Sequence, residues 1–520
     1  MNIKRLLSVI LSVVLLCACI PMISAELNNT NPINTLKVNN QTEPLGIDDA
    51  SPKFSWISEL DGYQKAQSAY RITVSSSDGN TGDMWDSGKI NGVNNYDIIY
   101  DGAPLSSKTK YFWRVQVFDE NDTEIGWSDT VSFETGIFTD IEWGAQWITH
   151  LTSSPAINPA PMFRKEFNIT GEVEKARVYV SGLGIYELKI NGLLPDDTVL
   201  NLGNTKFDVT VPYAVYDVTE LLGYGQNAIG IELGNGFYNE DGGWWGFDYA
   251  AWRSNPKFIL RMDITYTNDS VQTVVSDTTW SSTNTGPVTF DSIYYGETYD
   301  ARNEKTGFSE AGYIEDVSWS SALLAAAPAG ELKHSYIEPM RRTKTFKPKQ
   351  INKLSEGSYI IQNPEMTTGW MKLKIKAPTG SEITIKYGEK LKSDGSLTLI
   401  GGTDNTFVAD NFPKRGAVLQ NDIYTAKGTP DEFFEPRFSY KGYEFIQVDG
   451  YVGDLTSDDV ELYRINNDVE KTAELSTSND LINTLHSMMQ NTLLNNYQGK
   501  PTDTPVFEKL GWTEIGRAHV

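Results

Sequence analysis

The sequence predicts a mainly β protein in which tandem β-sandwich domains precede a short helical segment. Short segments of alternating apolar and polar residues recur between residues 36 and 467. Asp-Gly and Asn-Gly turn dipeptides separate several of these segments, and a helical periodicity first begins at Ser476. Because 520 residues are too many for one hydrophobic core, several domains are expected.

The composition indicates an ordered globular protein and excludes some classes of partner. Hydrophobic residues make up 39% of the chain and aromatic residues 12%, which is unlike a disordered protein. The formal net charge of -24 argues against nucleic acid or an anionic membrane as a partner, because both would be repelled. A neutral ligand such as a sugar is not repelled. The sequence assigns no oligomeric state.

Residues 1–25 predict a secretory signal peptide and therefore a secreted, extracellular protein. Lys4 and Arg5 precede a continuous apolar core, and a small-residue cleavage site ends at Ala25. The apolar core is short for a membrane span, which needs about 20 residues, so no span is expected. The alternative is a lipid anchor at Cys19, because the residues around it are similar to a bacterial lipobox.

Cysteine and histidine usage predicts neither a metal site nor another cofactor. Both cysteines, Cys17 and Cys19, lie in the signal segment, so the rest of the chain has no disulfide and no thiolate nucleophile. The histidines lack the close spacing of metal ligands. No Gly-x-Ser-x-Gly elbow supports a serine hydrolase. The four histidines are His150, His334, His486 and His519.

Residues 36–137 predict an immunoglobulin-like or fibronectin type III sandwich. Strand-like alternation at residues 70–74 and 111–117 is separated by turn dipeptides, and about a hundred residues is the usual size of such a domain. Trp56 and Trp113 are expected in its core. A spacer or packing role is favoured over ligand binding.

Residues 138–330 predict a second β-sandwich with an unusual aromatic loop. Two strand-like runs within residues 175–190 are followed by a tight turn at Asn191-Gly192. Farther on, a glycine-rich segment contains Trp244 and Trp245, whose faces are suited to stacking on sugar rings. Alternatively, these aromatic residues cap the sandwich or contact a neighbouring domain.

Residues 331–470 predict a third, large β-sandwich, and the periodicity then becomes helical. Leu481, Leu485, Met488 and Leu493 form an amphipathic stripe. It is preceded by Ser478, Asn479 and Asp480, which provide a helix cap and a negatively charged first turn. Before this sandwich, residues 322–330 predict a linker or a short helical connection.

A loop rich in functional groups follows the predicted helix. Pro501 and Pro505 exclude a continuous helix, so Asp503 and Glu508 are expected on a loop close to Trp512. Glycoside hydrolysis uses two carboxyl groups, one of them protonated. A glutamic acid beside an indole and a second carboxylate has a raised pKa, which suits a general acid. Without such context, two acids on a loop are most often solvated surface.

Several motifs together resemble the bacterial α-L-rhamnosidases of glycoside hydrolase family 78. The loop itself is similar to that family's Asp-Cys-Pro-x-x-Glu-(Lys/Arg)-x-Gly-Trp-Thr-Gly-Asp motif, near the start of an (α/α)6 barrel. The other matching segments are residues 233–238, 276–280, 286–287, 295–302, 362–363, 369–370, 387–391, 435–438 and 442–443.

The resemblance implies an accessory β-sandwich at residues 138–330, a concanavalin-like domain at 331–470 and the start of a six-hairpin catalytic domain at 471–513. It implies inverting hydrolysis of terminal α-L-rhamnose from a rhamnose-containing oligosaccharide, polysaccharide or glycoside. Carried over by position, Glu508 is the general acid and Asp503 a substrate-binding residue, and Trp512 lies in the rhamnose-binding loop. Thr504 stands where cysteine is common, and Phe507 where arginine is common.

The resemblance breaks after Thr513, where the family's Gly-Asp is replaced by Glu514 and Ile515. Residues 514–520 are similar to a translated sequencing adapter, so we expect an assembly artefact and a native gene that continues through the barrel. The general base is then expected beyond Val520, and this chain by itself is expected to be inactive. The alternative function is a non-catalytic secreted carbohydrate-binding or adhesion protein made of β-sandwich modules.

Overall fold

The computed structural model describes residues 31–60, 65–151, 159–240, 249–398, 419–506 and 508–511. It confirms the predicted mainly β fold, with a series of sheets followed by a helix. The chain divides into two compact units between Gly136 and Ile137. The predicted signal segment with Cys19, and residues 514–520, lie outside the described ranges.

The first unit consists of a three-stranded and a seven-stranded sheet. Alternating side chains of its strands point inward, and Trp56 and Trp113 are buried there as predicted. The smaller sheet has the order β1-β3-β7; the larger has the order β2-β10-β8-β4-β5, with β6 on β4 and β9 on β8. The strands are β1 Ile33–Val38, β2 Leu45–Ile47, β3 Lys53–Ser58, β4 Gln67–Ser75, β5 Trp85–Asp86, β6 Ile90–Asn91, β7 Ile98–Ile99, β8 Lys110–Asp119, β9 Glu124–Trp127 and β10 Val131–Thr135.

The second unit begins with two facing sheets that enclose an apolar core. The strands of these two sheets are β11 Ile148–Thr149, β12 Met162–Ile169, β13 Val173–Leu183, β14 Ile185–Ile190, β15 Thr210–Asp217, β16 Gly225–Gly234, β17 Lys257–Tyr266, β18 Val271–Val275, β19 Ser281–Thr283, β22 Ser320–Ser321, β23 Leu323–Leu324 and β24 Glu331–His334; the same segment also contains β20 Val288–Ser292 and β21 Gly296–Asp300, which belong to a third sheet. One sheet has the order β23-β11-β17-β13-β15-β24, with β18 on β17, and the other β14-β16-β12-β19-β22.

Glycine permits a sharp change of direction between β13 and β14, where the chain passes from one sheet to the other. Gly184 has a φ of +110°, and a Cβ added there would lie 2.2 Å from the carbonyl oxygen of Gly234. The predicted turn after β14 is also present, since Asn191 and Gly192 both have positive φ, at 49° and 83°. The predicted linker is extended rather than helical, because β23 pairs with β11.

A ten-stranded sheet is the largest remaining part of the second unit. Its order is β20-β21-β31-β28-β33-β27-β34-β25, with β26 and β32 on β27; a separate pair joins β29 and β30. Its later strands are β25 Met340–Phe346, β26 Gln350–Ser355, β27 Ser358–Ile375, β28 Glu382–Gly388, β31 Asn421–Thr425, β32 Glu432–Phe434, β33 Lys441–Asp449 and β34 Val460–Asn467; the separate pair is β29 Lys390–Leu391 and β30 Leu397–Thr398. Strands β20 and β21 enter this sheet although they come from the earlier segment, and β21 runs parallel to β31.

Helix α1 spans Asp480–Asn495, as its periodicity predicts. The side chain of Asn479 caps it by accepting a 3.0 Å hydrogen bond from the backbone N–H of Leu481. Leu485 and Met488 of the apolar stripe are more than half exposed. Within the described ranges, no helix combines the length and apolar character needed to cross a bilayer. At its end, Asn495 bonds to β27: its Oδ1 accepts from Thr368 N at 3.2 Å.

Candidate active site

The segment after α1 forms a closed loop rather than a helix, as its prolines predict. Two backbone hydrogen bonds close the loop: Asp503 N donates to Leu510 O at 2.9 Å, and Lys509 N donates to Thr504 O at 3.2 Å. Residues 503 and 510 thus form the neck of the loop, and Glu508 lies within it. The loop therefore brings together the two carboxylates that the sequence singled out.

One of the two carboxylate oxygens of Asp503 is hydrogen-bonded within its own loop. Its Oδ1 accepts hydrogen bonds from Thr504 N at 2.7 Å and from Leu510 N at 3.1 Å. Its Oδ2 is buried and, with Glu508 ionised, has no hydrogen-bond donor among the described residues. A buried carboxylate oxygen without a donor is costly, so this atom favours a nearby proton.

That proton is supplied by Glu508, whose pKa is raised to about 7. The largest cause is the hydrogen bond that protonated Glu508 donates to Asp503; burial and the negative charge of Asp503 add to it. The direction agrees with the sequence-based expectation. A carboxyl group with a pKa near 7 is present in both protonation states at neutral pH, which is the condition for a general acid.

The loop rests on the first residues of β33. A Cβ added at Gly442 would lie 2.8 Å from Pro505 Cγ and 2.9 Å from Val506 Cγ2, so both side chains lie directly on the backbone of Gly442. Val506 is buried in this contact. The apolar part of the loop is therefore held against the ten-stranded sheet.

A lysine and an aromatic ring border the same loop. Burial lowers the pKa of Lys500 to about 8, an effect that the charge of Asp503 opposes. The Nζ of Lys500 lies 4.5 Å from the ring centroid of Phe237. Phe237 belongs to the glycine-rich motif at residues 233–238, so the earlier sandwich contributes to the surroundings of the carboxylates.

Sequence reasoning missed three residues around the acid. Lys500 and Lys509 were passed over because lysines are usually solvated. Tyr294, whose hydroxyl donates a 2.9 Å hydrogen bond to the carbonyl oxygen of Glu508, directly precedes the motif at residues 295–302, which was noted only for its family likeness. The one feature of the sequence that could have pointed to any of them is the position of Lys509 directly after Glu508.

Other predicted site residues lie outside the described ranges. These are Trp512, which follows residue 511 in the sequence, and Trp244 and Trp245 of the aromatic segment. Across the described ranges, no three acidic, histidine or cysteine side chains converge in a way that would hold a metal ion.

Four family models match the chain in succession. They are the Rha78A-like N-terminal immunoglobulin domain at residues 33–139, the α-L-rhamnosidase N-terminal domain at 171–344, the bacterial α-L-rhamnosidase concanavalin-like domain at 352–466, and the bacterial α-L-rhamnosidase six-hairpin glycosidase domain at 470–520. The chain belongs to the bacterial α-L-rhamnosidases of glycoside hydrolase family 78. The carboxylate loop falls within the match to the six-hairpin glycosidase domain of this family.

Individual rhamnosidases align over nearly the whole chain. A curated α-L-rhamnosidase from Formosa agariphila is 31% identical over 99% of this chain and 56% of its own length. The structure of an α-L-rhamnosidase from Dictyoglumus thermophilum is 36% identical, with a TM-score of 0.84 over 92% of this chain and 54% of that one. A native rhamnosidase structure from Aspergillus terreus is 27% identical, with a TM-score of 0.82 and the same coverage. The chain thus spans about half the length of these relatives.

Proposed function

We propose that this chain serves the hydrolysis of terminal α-L-rhamnose residues from rhamnosides, with Glu508 as the general acid. The observation that carries the proposal is the pKa of Glu508, which the adjacent Asp503 raises to about 7 on a loop held against a β-sheet. The proposal is also supported by relatives named α-L-rhamnosidase that align over 92–99% of this chain.

In this proposal Glu508 donates a proton and Asp503 accepts a hydrogen bond. Protonated Glu508 donates its proton to the glycosidic oxygen as the bond from that oxygen to the anomeric carbon breaks. The Oδ2 of Asp503 accepts a hydrogen bond from a sugar hydroxyl once the proton of Glu508 has been transferred. Both groups then act on the same side of the sugar.

Asp503 is not the general base in this scheme. An inverting glycosidase holds its acid and base roughly 6.5–9.5 Å apart, on opposite faces of the sugar, to leave room for water. Asp503 is hydrogen-bonded to protonated Glu508 and is therefore too close. We assign the base to a separate carboxylate outside residues 496–511.

The test expresses the complete reading frame that contains this sequence and measures release of L-rhamnose from an aryl α-L-rhamnoside. Glu508→Gln keeps the size of the side chain but removes the proton, so turnover of a rhamnoside with a poor leaving group should fall by about 10²–10⁴-fold. Glu356→Gln is the matched control, because Glu356 is a surface residue with a side chain 84% exposed.

Two results would contradict the proposal. Turnover of Glu508→Gln at the wild-type rate would exclude Glu508 as the acid. Binding of L-rhamnose without hydrolysis by the wild-type protein would favour the non-catalytic carbohydrate-binding alternative.

A further inference from the structure

The side chain of Lys509, directly after Glu508, is completely buried. Lysine is almost never fully buried without partners, because removing an ammonium group from water is costly. Lys509 also has a φ of +53°, in the left-handed region that most residues avoid. Both features require strong local interactions to hold this residue in place.

The amine of Lys509 has such interactions on two sides. Its Nζ donates hydrogen bonds to Ile293 O and to Tyr440 O, both at 2.6 Å. The same nitrogen lies 4.2 Å from the ring centroid of Tyr440 and 5.8 Å from that of Tyr294. Burial lowers the pKa of Lys509 well below its usual value. A neutral amine still has two hydrogens, which is enough for both carbonyl acceptors.

These acceptors come from two different parts of the sheet. Ile293 lies in the turn between β20 and β21, and Tyr440 directly precedes β33. Tyr294, next to Ile293, donates its hydroxyl hydrogen to Glu508 O at 2.9 Å. The side chain of Lys509 and the carbonyl of Glu508 are therefore both attached to the β-sheet beneath the loop.

The attachments act on the two residues that determine where the acid points. The peptide bond between Glu508 and Lys509 is held by Tyr294 at the carbonyl of Glu508, and by Thr504 O, which accepts from Lys509 N at 3.2 Å. With this peptide held, the position of the Glu508 backbone from which the carboxylic acid extends is restricted as well. A small displacement matters, because about 1 Å of misplacement can cost about 10²-fold in rate.

We propose that Lys509 is a positioning residue for the acid Glu508, with Tyr294 as the second attachment point. The inference rests on the proposed function. Through these two residues, strands β20, β21 and β33 set the geometry of proton donation. The competing explanation is that the buried lysine only stabilises the fold. The two explanations differ in whether the loss of rate on substitution depends on the leaving group of the substrate.

The kinetic test compares two rhamnosides in the protein expressed from its complete reading frame. An alkyl rhamnoside needs protonation of its leaving group, whereas a 2,4-dinitrophenyl rhamnoside does not. Lys509→Met keeps the stem of the side chain and removes both hydrogen bonds. It should lower kcat for the alkyl substrate at least about tenfold more than kcat for the activated one. Tyr294→Phe should act in the same direction.

The matched control is Lys257→Met. Lys257 is also buried and donates to a backbone carbonyl, that of Ala326 at 2.8 Å. It lies in β17, and the hydrogen-bond and ring partners of its side chain among the described residues are Ala326 and Tyr238, neither of which belongs to the loop. Loss of a buried lysine there should leave the ratio of the two rates unchanged. An equal fall for both substrates in Lys509→Met and Tyr294→Phe would mean a purely structural role and would overturn the inference.

Hydrogen exchange on the 520-residue chain provides a readout that does not depend on activity. In Lys509→Met, the amides at positions 503, 509 and 510, which bond within the loop, should exchange at least about tenfold faster than in wild type and in Lys257→Met. Unchanged exchange would refute the positioning role. A wild-type protein that cleaves no rhamnoside would refute the proposed function, while the exchange data would still decide whether Lys509 holds the loop.

Discussion

Replacing Asp503 with asparagine isolates the cause of the raised pKa of Glu508. The change removes the negative charge and keeps an oxygen that can accept from Thr504 N and Leu510 N, so the neck of the loop is retained. The asparagine amide can donate a hydrogen bond to ionised Glu508, which favours the ionised form. The pKa of Glu508 should therefore fall from about 7 toward its ordinary value of 4.5.

The size of the effect follows from these two values. At pH 7, a carboxyl group with a pKa of about 7 is protonated in about half of the molecules, whereas a pKa of 4.5 leaves about one in 300 protonated. The protonated fraction of Glu508 at pH 7 thus falls by roughly 150-fold. Since a general acid must be protonated, the alkaline limb of the pH–rate profile should move to lower pH.

Two measurements check this expectation. Carbon-13 NMR of labelled glutamate side chains in the 520-residue chain gives the pKa directly, with the Glu508 signal assigned by its loss in Glu508→Gln. The pH dependence of the free energy of unfolding is the second measurement. Because the pKa of Glu508 is raised in the folded state, the wild type should lose stability as the pH rises from 4.5 through about 7. Asp503→Asn should lack this loss. A Glu508 that still titrates near pH 7 in Asp503→Asn would refute the assignment of Asp503 as the cause.

Two further substitutions test how the loop and the helix are held. Gly442→Ala places a Cβ 2.8 Å from Pro505 Cγ. Urea unfolding should show a loss of about 1–3 kcal/mol from overpacking, with faster exchange of the loop amides. Gly223→Ala is its control, because no atom lies within 4 Å of the added Cβ, and equal stability of the two variants would contradict the seating of the loop on Gly442. Asn495→Ala leaves the buried N–H of Thr368 and the partly buried carbonyl oxygen of Met366 without this partner. It should cost about 1–3 kcal/mol, and unchanged exchange of the α1 amides would contradict the anchoring role.

Local patterns accounted for much of the fold and for the two carboxylates. Trp113 is buried because strand alternation places every second residue inward, and Asn479 begins α1 because its side chain caps the first turn. The prolines around Asp503 predict a loop by the same local logic. The roles of Trp244, Trp245 and Trp512 remain predictions.

The sequence by itself therefore determined the elements and the family, and it singled out the carboxylates proposed for the acid chemistry, because periodicity, turn chemistry and motif spacing are properties of neighbouring residues. Only the tertiary structure decided how the acid is held. Tyr294 is 214 residues from Glu508, and the acceptors of Lys509 are 216 and 69 residues away. Contacts over such separations arise from strand pairing across the sheet, which no local pattern encodes. From the sequence alone a lysine is expected to be solvated. Only the folded sheet places two carbonyl oxygens and a tyrosine ring around the amine of Lys509.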